Sequence, residues 1–412
     1  MSEPNYDDNF EAQDVAEIVN DDAGPGADTI EIDMRNNSTT YLEAHGDSVY
    51  FIASHPTLPL VASGGGDDTV YLWTTTHTPP RIAAKLTEHT ESIVAGGFTA
   101  NGRFLVTGDM SGRLIVWKSS KGGEQWELMS NTQEADEIVN ISMHPSLNMF
   151  AVSSSDGQVW CYEITDSLEN VAVLSAHTLP ATGTQFVPPV AGEEDAAAAK
   201  PLLLSISEDG LVILWDVYGQ KVEYMLDSTK LRGDHAWVTL CLSPTNKTVA
   251  VGSMDGAVAI IKVADGALLN LVDTTIVKAE KPEDEGPVEP TSEDDAEEEQ
   301  LGFSVEGLGW SSTGLLATGN VDGVVVVWDT KTWRPRFSFQ LADSVTQLVF
   351  DGKLLTVSSM DGLVVQYDVI SSERVWELLG HNEGVLGFAV QNGGQKVITA
   401  GDDHICLVFD KK

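Results

Sequence analysis

The sequence predicts an all-β fold, a closed β-propeller of eight four-stranded blades. Two observations carry this prediction: a strand–turn–strand pattern recurs along almost the whole chain, and most of its copies are spaced as single blades. Residues 61–73, 204–216 and 317–329 show the pattern most clearly. In each, an apolar strand leads into a tight turn built on Asp-Gly or a variant of it, and a second strand ends in an aromatic residue.

Each copy has a turn residue and a closing residue six positions apart, and this pair identifies eight copies. The turn residues are Asp67, Ser111, Asp156, Asp209, Asp255, Asp322, Asp361 and Asp403. The closing residues are Trp73, Trp117, Tyr162, Trp215, Ile261, Trp328, Tyr367 and Phe409. Most intervals between closing residues are close to the ~40–45 residues of a four-stranded blade. The two longer intervals contain inserts, at 188–200 and 278–300.

The turn and strand residues suit this interpretation. Gly accepts the positive φ of a tight turn, and Asp hydrogen-bonds its own backbone there. The flanking segments are rich in Val, Ile and aromatic residues, which favour pleated, half-buried strands. The last copy closes at Phe409, almost at the end of the chain, so the eighth blade lacks an outer strand. Residues 38–42 are predicted to supply it and to close the ring.

The predicted domains are an acidic, disordered N-terminal arm over residues 1–37 and a propeller over residues 38–412. The arm holds eleven acidic residues and one basic residue, and the 278–300 insert holds eleven acidic residues and two lysines. Few aromatics and high net charge are typical of disorder. The formal net charge of the whole chain is −40, of which these two segments carry 19, so the propeller is predicted to be acidic as well.

This charge bounds the function. A strongly acidic chain is repelled by nucleic acid and by anionic membranes and attracts basic partners. No apolar run approaches the ~18 residues of a membrane helix, and the acidic N-terminus has no apolar segment of a secretory signal. Three cysteines, Cys161, Cys241 and Cys406, lie in or beside apolar strand patterns and are predicted to be buried free thiols. The expected setting is cytoplasmic.

No enzyme signature is present in the sequence. We find no phosphate-binding loop, no dinucleotide-binding glycine pattern, no nucleophile elbow and no metal-ligand spacing of His and Cys. Carboxylates are so abundant that no single acid–base pair stands out. The sequence therefore predicts a non-enzymatic binding protein without a cofactor or metal.

A His precedes a further strand upstream of five copies: His45, His89, His177, His235 and His381. With this addition the repeats resemble the WD-repeat (WD40) family over residues 38–412, although a literal Trp-Asp closes only the fourth and sixth copies. The resemblance implies that His, a strand Ser or Thr, the turn Asp and Trp form a buried hydrogen-bonded set. Two such sets are His45, Ser63, Asp67, Trp73 and His177, Ser205, Asp209, Trp215. Because similar sets recur from blade to blade, they are predicted to be scaffold and not a catalytic triad.

The repeat also locates the loops that face the mouth of the central channel. Acidic residues dominate these positions, and two aromatic residues accompany them. The predicted partner-binding residues are Glu91, Asp109, Glu137, Glu208, Glu306, Asp402, Trp237 and Tyr50. Such a set suits a short basic peptide, since carboxylates pair with Arg and Lys and aromatic rings stack on guanidinium groups. The alternative is a generally acidic surface without a specific site.

In its eight repeats, its acidic arm and the sequence of residues 42–50, the chain resembles a narrower group. These are the fungal ribosome-assembly chaperones related to angio-associated migratory cell protein. That resemblance implies a cytoplasmic chaperone that captures the basic N-terminal segment of an L-ten type large-subunit ribosomal protein as it leaves the ribosome. The chain is expected to be a monomer. The charge alone supports only a basic client. A WD-repeat adaptor for signalling, degradation or histone-tail binding remains the alternative.

Overall fold

The computed structural model describes residues 35–133, 135–189, 200–276 and 303–411. These residues form eight four-stranded antiparallel sheets, which confirms the predicted eight-bladed propeller. The described residues belong to one compact unit that spans residues 34–412. The predicted arm lies outside the described residues up to residue 34, as do residues 190–199 of the first predicted insert and all of the second, 278–300.

Seven blades use four consecutive strands, and strand order in the sheet follows chain order from the channel outward. Blade 1 contains β2 (Phe51–Ser54), β3 (Leu60–Gly64), β4 (Val70–Thr74) and β5 (Arg81–Leu86), and blade 2 contains β6 (Ile93–Phe98), β7 (Phe104–Asp109), β8 (Arg113–Ser120) and β9 (Gln125–Gln133). Blade 3 contains β10 (Ile138–Met143), β11 (Met149–Ser154), β12 (Gln158–Ile164) and β13 (Leu168–Ser175). Blade 4 contains β14 (Gly183–Val187), β15 (Leu202–Ile206), β16 (Val212–Asp216) and β17 (Lys221–Leu226).

Blades 5 to 7 follow the same order. Blade 5 contains β18 (Trp237–Leu242), β19 (Thr248–Ser253), β20 (Ala257–Lys262) and β21 (Leu268–Asp273). Blade 6 contains β22 (Val305–Trp310), β23 (Leu315–Asn320), β24 (Val324–Asp329) and β25 (Arg334–Gln340). Blade 7 contains β26 (Val345–Asp351), β27 (Leu354–Ser359), β28 (Val364–Asp368) and β29 (Glu373–Leu378). One short helix, α1 (Ser228–Leu231), connects blades 4 and 5, and a 3-10 turn (Lys121–Gly123) joins β8 to β9. Asp227 caps α1 by accepting hydrogen bonds from the backbone of Thr229 and Lys230.

Blade 8 joins the two ends of the described chain. It contains β30 (Val385–Gln391), β31 (Lys396–Gly401) and β32 (Cys406–Asp410), and its outer strand is β1 (Thr40–Leu42). Thr40 pairs with Val408 and Leu42 with Cys406. This confirms the predicted closure by residues 38–42, of which three form the strand. The inner strands contact one another in sequence, and β30 contacts β2, so the ring is closed.

The apolar core of the described residues is divided into eight clusters, each between two neighbouring blades. Between blades 1 and 2, for example, Phe51 and Leu72 pack with Ile93 and Trp117. The blade that ends at Ile261 is regular, and Ile261 is fully buried against blade 4. Because each blade completes its core only against its neighbours, the loops at both ends of the strands stand on a rigid ring.

The tight turns and the cysteines agree with the sequence analysis. Gly210 and Gly323, which follow turn Asp residues, have φ of 80° and 79°. Cys161 and Cys406 are buried, Cys241 is half-buried, and all three are free. Burial raises the pKa of the Cys161 and Cys406 thiols to about 12 and that of Cys241 to about 11. In the described part of the chain no helix is long and apolar enough to cross a membrane.

Candidate peptide-binding rim

One backbone hydrogen bond recurs in all eight blades at the same end of the ring. The residue before the turn residue donates its N–H to a carbonyl in the loop that leads into the inner strand. The donor–acceptor pairs are Gly66–Ser48, Met110–Ser92, Ser155–Glu137, Glu208–Pro180, Met254–Ala236, Val321–Ser304, Met360–Ser344 and Asp402–Gly384. We call this end the upper rim and the opposite end, where the first two strands of each blade connect, the lower end.

The repeated bond fixes four rim positions in each blade: its donor, its acceptor, the residue before the acceptor, and the second residue after the acceptor. In six blades the last of these lies in a β-bulge of the inner strand, as Val139 and Glu306 do. Bulges re-aim side chains at the ends of strands. The rim positions therefore present comparable side chains from eight directions around the channel mouth.

Six of the eight predicted partner-binding residues occupy rim positions, each in a different blade: Tyr50, Glu91, Glu137, Glu208, Glu306 and Asp402. Glu91, Glu208 and Glu306 are exposed, while Glu137 and Asp402 are half-buried. Tyr50 is 42% exposed. These six residues thus lie at the same end of the ring, as the repeat predicts.

Asp109 is a correction to the predicted set. Its side chain is fully buried, so it does not reach the rim surface. Its carboxylate binds His89 Nδ1 at 2.8 Å and accepts hydrogen bonds from the Ser111 hydroxyl and the Arg113 backbone. Burial by itself raises the pKa of the Asp109 carboxyl, but these hydrogen bonds outweigh it and hold the pKa below its ordinary value. Asp109 is scaffold, and the neighbouring Met110 occupies the donor position of the repeated hydrogen bond in this blade.

Trp237 is the second correction. It is fully buried at the start of β18, and its indole Nε1 donates to the Gly210 carbonyl in the turn of blade 4 at 3.0 Å. Thr182 of blade 4 donates its hydroxyl to the Trp237 carbonyl at 2.7 Å. Trp237 therefore fixes blade 5 to blade 4 beneath the rim, and its ring is not available to stack on a partner.

The buried hydrogen-bonded sets lie beneath the rim, as the family resemblance implies. His45 binds Asp67 at 3.0 Å and Ser63 at 2.9 Å, and Trp73 donates to the same Ser63 hydroxyl at 3.1 Å. His177, Ser205, Asp209 and Trp215 repeat the arrangement. The remaining carboxylate oxygens accept from the backbone, that of Asp67 from Gly46 and that of Asp209 from Thr178, so the side-chain polar atoms of these sets are satisfied inside the fold and the sets support the loops.

The rim positions are strongly acidic. They hold nine acidic residues and neither Lys nor Arg in any of the eight blades. The acidic residues are Asp47, Glu91, Asp136, Glu137, Glu208, Glu306, Asp343, Glu383 and Asp402. Since carboxylates spaced around one channel mouth add their fields, this end of the ring attracts cationic groups.

The partners of these carboxylates are neutral. Ser304 donates its hydroxyl to Glu306, the Ser48 hydroxyl donates to Asp402, and the Ser344 backbone donates to Asp343. Among the described residues, no Lys, Arg or His lies within ion-pair distance of any of the nine. Neutral donors orient a carboxylate without cancelling its charge, so the rim keeps its capacity for external cations.

Sequence reasoning missed four acidic rim residues, Asp47, Asp136, Asp343 and Glu383, and it chose Asp109 where Met110 occupies the rim position. The four acidic residues are exposed and all precede the carbonyl of the repeated hydrogen bond. A signal for them exists, because each lies two residues before a buried Val or Ile at the entry to an inner strand, namely Val49, Ile138, Val345 or Val385. Met110 lies directly before its turn residue, as Glu208 and Asp402 do, so strict counting would have found it.

The described residues contain no group of three or more His, Cys, Asp or Glu side chains placed to hold a metal ion. The rim offers charge, hydrogen-bond acceptors and some apolar surface. Its arrangement suits recognition of an extended cationic segment.

Known proteins share both the repeat and the ring. The WD40 model (WD domain, G-beta repeat) matches residues 36–74, 81–118, 228–262 and 372–410. The chain is 37% identical to the ribosome assembly protein SQT1 of Saccharomyces cerevisiae, over 97% of this chain and 92% of that protein. It is 24% identical to the angio-associated migratory cell protein of Homo sapiens, over 91% of this chain and 80% of that protein.

Solved structures agree. The crystal structure of Saccharomyces cerevisiae Sqt1 matches with a TM-score of 0.81 at 36% identity, covering 92% of this chain and 100% of that one. The crystal structure of Chaetomium thermophilum Sqt1 bound to the N-terminus of the ribosomal protein L10 matches with a TM-score of 0.77 at 28% identity. It covers 91% of this chain and 100% of that one.

Proposed function

The chain belongs to the Sqt1 family of WD-repeat ribosome assembly proteins, and we propose that it is a dedicated chaperone for a ribosomal protein. Its client is the basic N-terminal segment of ribosomal protein L10, held on the upper rim until the protein joins the large subunit. The observation that carries the proposal is the rim itself: nine acidic residues in positions that contain no Lys or Arg. The relative from Chaetomium thermophilum, bound to the N-terminus of L10, supports the choice of client.

The proposed contacts come from several blades. Glu91, Glu137, Glu208, Glu306 and Asp402 accept hydrogen bonds from Arg and Lys side chains of the client. Because Arg can bind a carboxylate through two parallel N–H groups, an exposed Glu favours Arg in a defined orientation. Tyr50 stacks on a guanidinium group.

The mechanism is shielding without catalysis. A segment that will bind ribosomal RNA carries dense positive charge and binds any polyanion it meets before assembly. The rim neutralises that charge reversibly. Ribosomal RNA phosphates then compete with the carboxylates for the same Arg and Lys side chains, so release needs no nucleotide hydrolysis. The rim itself binds no nucleic acid, the chaperone acts as a monomer, and the step belongs in the cytoplasm.

The test is titration calorimetry with a synthetic peptide of the L10 N-terminal segment. Glu208→Lys and Asp402→Lys should each weaken binding by tenfold to a few hundredfold. A charge-assisted hydrogen bond contributes roughly 1.5–3 kcal/mol, and reversal adds repulsion.

Asp166→Lys is the matched control. Asp166 is exposed in the lower-end turn between β12 and β13, and its substitution changes the net charge by the same amount as the rim substitutions do. Equal losses for rim and control variants would reject the rim as the site. A wild-type protein that binds a histone-tail peptide as tightly as the L10 peptide would reject the dedicated client.

A further inference from the structure

The upper rim is not uniform around the ring. Seven of the nine rim acids belong to blades 7, 8, 1, 2 and 3. Blades 4 and 5 contribute one, Glu208, and their other rim positions hold Thr182, His235 and five apolar residues that we call the apolar sector. The apolar sector consists of Leu179, Pro180, Ala236, Val238 and Met254.

Two side chains of this sector are exposed, and the other three are half-buried. Leu179 is 48% exposed and Met254 is 39% exposed. The buried Trp237 and the Thr182 hydroxyl bind blades 4 and 5 together directly below them. The hydration of large apolar side chains at a channel mouth is unfavourable until a binding partner covers them. Such side chains therefore mark a contact surface.

A cavity begins beside the sector. It has a volume of about 570 Å³ and is lined by the inner strands of blades 3, 4 and 5, from the rim residues Thr182 and Val238 to loop residues at the lower end. No charged side chain lines it. Two of its hydroxyls, Ser142 and Thr184, bond each other at 2.9 Å. An ammonium or guanidinium group there would lose its water without gaining a counter-charge, so the cavity favours an uncharged side chain.

We propose that the client segment carries an apolar or aromatic side chain beside its basic residues, and that this side chain docks on the apolar sector at the cavity mouth. This inference rests on the proposed function. It adds which type of side chain the client segment carries and how that segment lies on the rim. Glu208 lies in the same blade as Leu179, and Glu306 lies in the next blade after Met254. A basic residue flanking the apolar one therefore reaches a carboxylate on either side. The basic run then follows the acidic arc of blades 7 to 3.

The experiment measures binding of the L10 N-terminal peptide to Leu179→Ser, Met254→Ser and the double variant across a series of salt concentrations. Each substitution removes apolar contact area, so each should weaken binding about three- to tenfold. The loss should be the same at low and high salt, because screening acts on charges. A second peptide, with its apolar residues changed to Ser and its basic residues kept, should bind wild type and double variant equally.

Leu269→Ser is the matched control, because Leu269 is 52% exposed on the outer strand of blade 5, away from the rim. Unchanged binding by the double variant, or an equal loss in Leu269→Ser, would overturn the inference while leaving the proposed function standing. Failure of the wild-type protein to bind either peptide would overturn both.

Discussion

The upper rim and the lower end of the ring carry carboxylates with different partners. At the lower end Lys200 binds Glu223 at 2.6 Å, Lys353 binds Asp368 at 2.6 Å, and Lys396 binds Asp410 at 3.1 Å. The hydrogen bond from Lys353 lowers the pKa of Asp368, and that from Lys200 lowers the pKa of Glu223. At the rim positions the described carboxylates bond only hydroxyl and backbone donors. The total charge of the chain therefore does not distinguish the two ends of the ring, whereas the partners of the carboxylates do.

The comparison requires a closed ring, so the largest effect should follow from opening it. Deleting residues 1–45 removes β1 and His45 and leaves β32 without its partner strand. We expect loss of the cooperative unfolding transition, measured by circular dichroism during urea denaturation. Deleting residues 1–30 should leave the transition unchanged. A cooperative transition at the wild-type midpoint in the chain without residues 1–45 would show that β1 does not close the ring.

The second effect separates scaffold carboxylates from rim carboxylates. Asp109→Ala removes a buried acceptor of four hydrogen bonds and should lower the free energy of unfolding by about 3–5 kcal/mol. Glu208→Ala, at an exposed rim position, should change it by no more than about 0.5 kcal/mol. Urea denaturation of both variants checks the pair. Equal destabilisation would mean that the rim acids also hold the fold together.

The third effect tests whether two rim acids that sequence reasoning missed contact the client, whereas a carboxylate of the lower end does not. Asp343→Asn and Glu383→Gln keep the shape of the rim and remove one charge each. Each should weaken binding of the L10 N-terminal peptide by roughly three- to tenfold and reduce the salt dependence of the affinity. The lower-end variant Glu124→Gln, in the connection from β8 to β9, should do neither. A salt dependence unchanged in both rim variants would exclude blades 7 and 8 from the contact.

The smallest effect concerns a histidine beneath the rim. Burial lowers the pKa of His177, with Asp209 opposing, so the unfolded chain takes up this proton at a higher pH than the folded chain does. The free energy of unfolding should therefore fall as the pH drops below about 6.5, the value in the unfolded chain. His177→Asn should show a smaller fall over that range in urea denaturation. An equal or larger fall in the variant would contradict the assignment.

The fold could be predicted from the sequence because the repeat encodes it many times over. Even the blade that ends in Ile261 in place of an aromatic was placed correctly by its turn Asp255. The closing strand followed from counting strands, since Phe409 leaves the last blade incomplete.

The site could be predicted only in part, because local substitutions conceal which side chain faces outward. In blade 2, Ser111 occupies the usual turn position, and Asp109 bonds the histidine from two residues earlier. Trp237 begins its strand directly before a β-bulge, where alternation no longer tells an inward from an outward side chain. The repeated hydrogen bond that defines the rim belongs to the backbone, so a rim residue is marked by its position relative to the turn and not by its residue type.

The central claim is that a basic client binds the upper rim and leaves the lower end free. Amide hydrogen exchange of the full chain, with and without the L10 N-terminal peptide, tests it most directly. We expect slower exchange in the rim turns around residues 108–112, 207–211 and 401–405. In the lower-end loops around residues 55–59 and 244–247 we expect unchanged exchange. Protection of the lower-end loops, or of neither end while the peptide is bound, would contradict the account.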